Sequence, residues 1–431
     1  LIAEAVRWTS RSVLSVLRSV PEIVWAYLFV RILGLGPGPA VIAIGLSFAG
    51  IIGKLYAELL ESVDAAPVRA LRAAGVGWIG SLTYGALPQV GSQWVGYGLF
   101  RLECAVRSAS ILGVVGAGGI GAELALSIRY FQYDKLATAL LAVLGCIIAL
   151  ELLSALLRRL RPMVTLIAAC AATAWGISLL EIPWEELLAP SAMEQARLFI
   201  DAFSEPTTDS EFLWHSWNLA LETLAMAFAG TGIAALIAFV LAPMATSSLT
   251  VFGFLPDAPR GSWLWRVPAM VLLLGTRLLF QVTRALPELV WALIFIVWVG
   301  PGAFAGALAV GAHTIGILGR LFGETYEEVE PAPVAALEAI GVGAFGRWLV
   351  GVLPQVAPRI LAFALFRFEV NVRATAMVGF VGAGGIGDAL HTAISLFHMS
   401  DLATLLLVLF AMVIVVDAVG DRLRAILLKQ R

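Results

Sequence analysis

The sequence predicts an all-α, polytopic membrane protein in which one helical module occurs twice. Three observations carry that prediction. Of 431 residues, 60% are hydrophobic and only 13% charged, with mean hydropathy +0.92. A soluble globular chain is about half apolar and roughly a quarter charged. Apolar runs of about 20 residues, the length that crosses a bilayer core as a helix, recur along the chain. Finally, PEIVWAYLF at 21–29 returns as PELVWALIF at 287–295, LPQV at 87–90 returns at 353–356, and GAGGIG at 116–121 returns at 382–387. Each recurrence is offset by 266, and 46 of the 101 aligned pairs from Pro21 to Gly121 are identical without a gap. A long period of this kind marks a duplicated domain rather than a solenoid.

In the second copy the spans fall near 163–180, 217–243, 270–300 (broken at Pro287), 302–322, 346–374 and 402–420. The first copy supplies counterparts of the last four, near 4–34, 36–56, 80–108 and 136–156. The expected division is 1–161 for the first half and 162–431 for the second, with a connector near 181–213. Leu1 aligns with Val267, so two spans of the second copy have no partner in the first. A native product longer at its N-terminus is the expectation. Basic residues retained beside spans mark the cytoplasmic side. Arg158, Arg159 and Arg161 follow the last span of copy one, and Arg422, Arg424, Lys429 and Arg431 that of copy two. The connector, rich in Asp and Glu but with Arg197 as its one basic residue, suits the outer face. Six crossings per full copy satisfy both.

The polar interruption of each module reads YAELLESVDAAPVRALRAAGVGWIGSLTYGALPQV at 56–90 and FGETYEEVEPAPVAALEAIGVGAFGRWLVGVLPQV at 322–356. A short helix is expected in each. Asp64 and Glu330 suit its N-terminal turn, where a carboxylate meets unpaired N–H groups. Pro67 and Pro333 fall in the first turn, where a missing N–H costs nothing, and Gly75 and Gly341 stop the helix. A glycine followed thirteen residues later by the proline of a Leu-Pro pair (Pro88, Pro354) resembles the EAA loop of ABC importer permeases. The stretches at 101–121 and 367–387, each ending in GAGGIG, are similar to the phosphonate/phosphite branch of type I importers. The resemblance covers nearly the whole chain except 181–213 and about 245–266.

It implies a type I importer transmembrane domain with pseudo-two-fold symmetry. The two halves would line one path for a phosphonate, phosphite or phosphate ion in a bacterial cytoplasmic membrane. It further implies two ATPase subunits carrying ATP and Mg, and an extracytoplasmic substrate-binding protein. The ATPase-coupling residues it implies are Glu58, Asp64, Pro67, Arg69, Ala70, Leu71 and Gly75 in one loop. In the other they are Glu324, Glu330, Pro333, Ala335, Ala336, Leu337 and Gly341. The family's loop glutamate falls at Arg69 and Ala335, a departure that predicts unequal seating of the two loops.

The fifth span of each copy carries Arg101, Glu103 and Arg107, then Arg367, Glu369 and Arg373. Such charges are costly in lipid unless they face protein or water. Glu103–Arg107 and Glu369–Arg373 are spaced i,i+4 and so are expected as pairs on one helix face. They either fix helix packing, or Arg107 and Arg373 serve as weak partners of an oxyanion in the path, which a planar guanidinium matches. Arg18 and Arg284, just before Pro21 and Pro287, read as cytoplasmic-edge anchors or gate residues.

GAGGIG satisfies G-x-G-x-x-G, but a dinucleotide site needs a preceding strand and a βαβ unit. Here a transmembrane run precedes it. Gly116, Gly118, Gly119 and Gly121, with Gly382, Gly384, Gly385 and Gly387, instead read as a turn or close helix approach at the outer mouth. The sequence has no G-x-x-x-x-G-K-[S/T], so nucleotide is expected on partner subunits and no cofactor on this chain. Three dispersed cysteines and four histidines form no ligand motif, and neither metal nor nucleic acid is expected. The rival readings are an ion-coupled secondary transporter using Glu103 and Glu369, and a membrane dehydrogenase using GAGGIG.

Overall fold

The computed structural model describes residues 2–20, 22–113, 116, 118–130, 132–160, 162–180, 185, 189–247, 263–396 and 398–428. Pro21, Arg161, Lys429, Arg431, most of 181–188 and all of 248–262 lie outside the described residues. Among the described residues the chain is helical and contains no strand. It divides into two compact units, Leu1–Ser204 and Glu205–Arg431.

The first unit runs α1 (Ile2–Ser19), α2 (Glu22–Leu33), α3 (Pro37–Glu61), α4 (Ala65–Ala73), α5 (Leu87–Leu112), α6 (Gly119–Arg129) and α7 (Tyr133–Leu157). It ends with α8 (Pro162–Leu179) and α9 (Pro190–Ser204). The second opens on α10 (Ser210–Leu241), followed by α11 (Trp263–Ala285), α12 (Glu288–Val299), α13 (Ala303–Glu327) and α14 (Pro331–Ala339). It closes with α15 (Leu353–Val378), α16 (Gly385–Ser395) and α17 (Met399–Leu428). The 266-residue offset that relates the sequences also relates the elements: α2, α3, α4, α5 and α6 map end for end onto α12 to α16. Among the described residues, eight helices are long and apolar enough to cross a membrane.

Packing in the second unit follows from small residues on one helical stripe. On α10, Ser216, Ala220, Thr223, Ala227, Gly230, Ala234 and Ala238 are buried. Phe228, Ile233, Leu236 and Val240 face outward on the same helix. Between apolar helices in lipid, close backbone approach replaces the hydrophobic driving force. Gly230 shows how close: a Cβ there would lie 2.7 Å from the Ala307 carbonyl oxygen of α13. Toward the loop end, α10, α13 and α15 enclose Leu318, Phe322, Tyr326, Val334 and Val356.

The expected break at Pro287 separates α11 from α12, because proline donates no N–H and excludes the preceding helical turn. Side chains satisfy carbonyls released there. Trp291 Nε1 donates to Thr283 O at 3.1 Å, and His313 Nδ1 lies 2.8 Å from Leu286 O. A second irregularity was not foreseen: wide π-turns at Leu82–Ala86 and Arg347–Val352 lead into α5 and α15. They sit directly ahead of Pro88 and Pro354, whose missing N–H groups leave the normal i→i+4 ladder incomplete.

Candidate functional site

Each polar loop folds as the expected short helix with a defined start and stop. Asp64 caps α4, its carboxylate accepting from Ala66 N at 2.9 Å. Glu330 occupies the same position before α14 but its side chain caps nothing; its extra methylene carries the carboxylate past the reach of the second N–H of the helix. At the far end Gly75 and Gly341 adopt φ +83° and +81°. Val76 N donates to Leu71 O and Gly75 N to Arg72 O, both at 3.0 Å; Val342 and Gly341 repeat the pattern onto Leu337 and Glu338. This is the Schellman stop, and it requires a left-handed residue.

Sequence reasoning missed the residue that fastens the loop helix to the bundle. Gln89, the third letter of LPQV, accepts from Asp64 N at 3.2 Å and donates to Asp64 O at 3.2 Å and Gly85 O at 2.7 Å. Gln355 does the same to Glu330 N, Glu330 O and Gly351 O. Each glutamine thus ties the start of the loop helix to the π-turn. Beneath the helix, Val68 and Leu71 press onto Gly85, and Val334 and Leu337 onto Gly351, where a Cβ would meet them at 3.0–3.3 Å. Leu71 and Leu337 therefore support the helix. Pro67, Arg69, Ala70, Pro333, Ala335 and Ala336 face outward. Large apolar side chains beside them are bare: Trp78 67%, Ile79 69%, Ile340 76% and Phe345 73% exposed. Glu58 and Glu324 stand on the preceding helices, paired to Lys54 at 3.6 Å and Arg320 at 2.7 Å.

The predicted pairing of membrane charges is corrected. Glu103 pairs with Arg158 at 2.8 Å and Arg107 with Glu151 at 3.4 Å, both across to α7 and its C-cap. In the second unit Glu369 pairs with Arg424, and Arg373 with Asp417 at 2.6 Å, across to α17. The i,i+4 spacing put the charges on one face, but the adjacent helix supplies a nearer opposite charge. The same offset of 266 connects Glu151 to Asp417 and Arg158 to Arg424, so the ladder is duplicated. Asp417 lies 18 residues from the start of α17, about 27 Å along it at 1.5 Å per residue. The ladder thus sits toward the loop end of the bundle. Gly420 makes room for it, since a Cβ there would fall 1.7 Å from Glu369 Oε1.

Arg101 and Arg367 diverge. Arg101 lies 5.8–5.9 Å from the Phe48, Tyr97 and Phe100 ring centroids. Arg367 instead donates to Asn371 Oδ1 at 3.0 Å, and Asn371 Nδ2 donates to Thr231 at 2.7 Å and Thr314 at 2.9 Å. Glu288 lies 3.2 Å from His313 Nε2 and 3.8 Å from Arg367. This buried network joins α10, α12, α13 and α15. Its first-copy positions hold Ala105, Phe48 and Ser47 in place of Asn371, Thr314 and His313.

GAGGIG forms an elbow between two helices. Gly116, Gly118 and Gly119 have φ +102°, +76° and +69°, and Gly382, Gly384 and Gly385 have +94°, +78° and +69°. The last glycine serves proximity instead: a Cβ at Gly121 would lie 2.0 Å from Ser110 O, and at Gly387 1.9 Å from Ala376 O. After the turn the chain does not enter the next span directly. It first makes the short helices α6 and α16, which the sequence reading did not separate.

Residues 2–164 and 271–430 match the family model of the binding-protein-dependent transport system inner membrane component. The chain belongs to that family. This permease is 29% identical to the phosphate-import permease protein PhnE of Mycolicibacterium smegmatis, over 438 residues covering 98% of the chain and 78% of the relative. It is 38% identical to the phosphite transport system permease protein PtxC of Stutzerimonas stutzeri over 213 residues, 49% of the chain and 71% of the relative. Among solved structures, an inward-facing MetNI methionine ABC transporter chain aligns with 51% of this permease and 99% of its own length, at 19% identity and TM-score 0.43. Family and spans together make it a multi-pass protein of the bacterial inner membrane. Among the described residues the permease is all-α, and its internal duplication gives two matches to the binding-protein-dependent transport component.

Proposed function

We propose that this permease forms the path of an ATP-driven importer for a small phosphorus oxyanion: phosphonate, phosphite or phosphate. The carrying observation is the pair of loop helices, α4 and α14, each stopped by a Schellman glycine and clamped by a glutamine. A rigid surface helix with bare apolar neighbours suits docking into a partner's groove. The partners are two ATPase subunits on the cytoplasmic side, which bind ATP and Mg. A substrate-binding protein delivers the anion at the outer face. The substrate class is supported by relatives named for phosphate import and phosphite transport. The unlike cap residues Asp64 and Glu330 support unequal seating of the two loops.

Reconstitution tests the reading. Proteoliposomes holding the permease, its ATPases, ATP and the binding protein should accumulate labelled phosphonate, phosphite or phosphate. Uptake of none of them sinks the substrate class, and uptake without any ATPase sinks the coupling. Substituting Val at both Gly75 and Gly341 should abolish ATPase co-purification while leaving the bundle folded.

Arg107 and Arg373 are the proposed oxyanion partners in the path, held by Glu151 and Asp417 when substrate is absent. A guanidinium already engaged by a carboxylate binds an anion weakly, as release requires. Arg107→Ala with Arg373→Ala should lower uptake at least tenfold with the assembled complex recovered in normal yield. Loss of the complex itself would make the ladder a packing device.

A further inference from the structure

A cavity of about 340 Å³ opens between α11 and α13, outside the loops, the ladder and the elbow. Arg277, Arg284 and Arg320 line it, with Glu324, Glu327 and the Phe280 ring. The arginines are held in place by neighbours. Arg277 Nε donates to Ala245 O at 2.8 Å and its Nη2 reaches Glu327 at 3.2 Å. Arg320 Nε donates to Glu324 at 2.7 Å, and Arg284 donates twice to Gln281 Oε1 at 2.6 and 3.0 Å. Arg277 and Arg320 keep half-exposed side chains despite these bonds. Among the described lining residues three cations face two carboxylates.

The duplication repeats this constellation. At the 266-residue offset Arg277, Arg284 and Arg320 correspond to Arg11, Arg18 and Lys54, and Glu324 and Glu327 to Glu58 and Glu61. All five positions keep their sign. The geometry is kept as well: Arg11 meets Glu61 at 2.6 Å where Arg277 meets Glu327, and Lys54 meets Glu58 where Arg320 meets Glu324. Along α11 the same turns present bare Leu278, Leu279 and Val282. A basic cleft beside a lipid-facing apolar strip, at the end of a spanning helix, matches a phospholipid by both its parts.

We infer that the cleft between α11 and α13 binds a phosphate oxyanion carried by an anionic phospholipid of the cytoplasmic leaflet. The headgroup sits against Arg277 and Arg320, and the acyl chains run along Leu278 and Val282. The placement in that leaflet rests on the cytoplasmic assignment of the loops under Proposed function. The cleft lies on the last turns of α13, which pass directly into the loop that ends in α14. A lipid seated there therefore braces the segment that carries the loop helix.

The test is direct binding. The purified permease in phosphatidylcholine nanodiscs doped with spin-labelled phosphatidylglycerol should immobilise the label. Arg277→Gln and Arg320→Gln should each reduce the immobilised fraction roughly fivefold, the equivalent of about 1 kcal/mol per basic residue near the surface. Arg320→Lys should retain most of the binding. Glu324→Gln should raise it, because an opposing charge is removed, and this opposite sign guards against a variant that merely folds poorly. Unchanged retention in both glutamine variants overturns the proposal. Displacement of the label by millimolar inorganic phosphate also overturns it, since the occupant would then be a free anion. The readout needs neither ATPase nor transport, so it stands apart from the function assay.

Discussion

Gly387→Ala should abolish accumulation of folded permease, and Gly121→Ala should do the same through the first unit. The added Cβ would lie 1.9 Å from the Ala376 carbonyl oxygen, or 2.0 Å from Ser110 O. These obstacles are backbone atoms of a packed helix, so no side-chain rotation relieves them. The short helix after the elbow must lift away from α15 or α5. Overpacking of a core costs about 1–3 kcal/mol when side chains can shift, and here they cannot, so the loss should exceed that range. Gly382→Ala provides the contrast. Its φ is +94°, but the nearest atom to a new Cβ is Pro301 Cβ at 3.9 Å. Only backbone strain opposes it, on the order of 1–3 kcal/mol. The measurement is the monodisperse fraction after detergent extraction, with the thermal midpoint of whatever survives. Equal yields of Gly387→Ala and Gly382→Ala would refute the distinction between proximity and torsion.

That distinction shows where sequence reading stops. GAGGIG could be taken from cofactor motif to helix elbow by its setting alone, between a transmembrane run and another apolar stretch. Which glycine serves torsion and which serves contact could not be read, because φ and neighbour distance are set by the packed helices. The spanning helices were legible, with ends off by up to eight residues, since apolar length and proline position are local properties. Glu103 and Arg107 fail for the converse reason. Their spacing is local, but their partners Arg158 and Glu151 come from 55 and 44 residues away. The duplication did hold a clue, because Glu151 aligns with the acidic Asp417 and Arg158 with Arg424. Gln89 and Gln355 also lay in plain view within LPQV. A polar residue repeated after a Leu-Pro break asks for a backbone partner, and the π-turn carbonyl with the loop-helix start supplies three.

Asn371→Leu should destabilise the second unit, and it concerns a residue that no repeat could reveal. Its first-copy counterpart is Ala105, so the alignment gives no sign of it. Asn371 is fully buried, donates to Thr231 and Thr314, and accepts from Arg367. Hydrogen bonds between helices in lipid average only about 0.6 kcal/mol each, so the two to α10 and α13 contribute roughly 1 kcal/mol. Stranding buried donors and acceptors adds about 1–3 kcal/mol. The stranding cost predicts non-additivity. Thr231→Val and Thr314→Val, added to Asn371→Leu, remove the orphaned hydroxyls together with their lost partner. The triple variant should therefore recover part of the stability that Asn371→Leu alone loses, although it has fewer hydrogen bonds. Ala105→Leu in the first unit should cost far less, because no polar network stands there to be broken. Thermal midpoints of the four proteins in one detergent decide the matter: a triple variant less stable than Asn371→Leu would mean that the threonines act independently, and α10, α13 and α15 would then owe their junction to the small-residue packing alone.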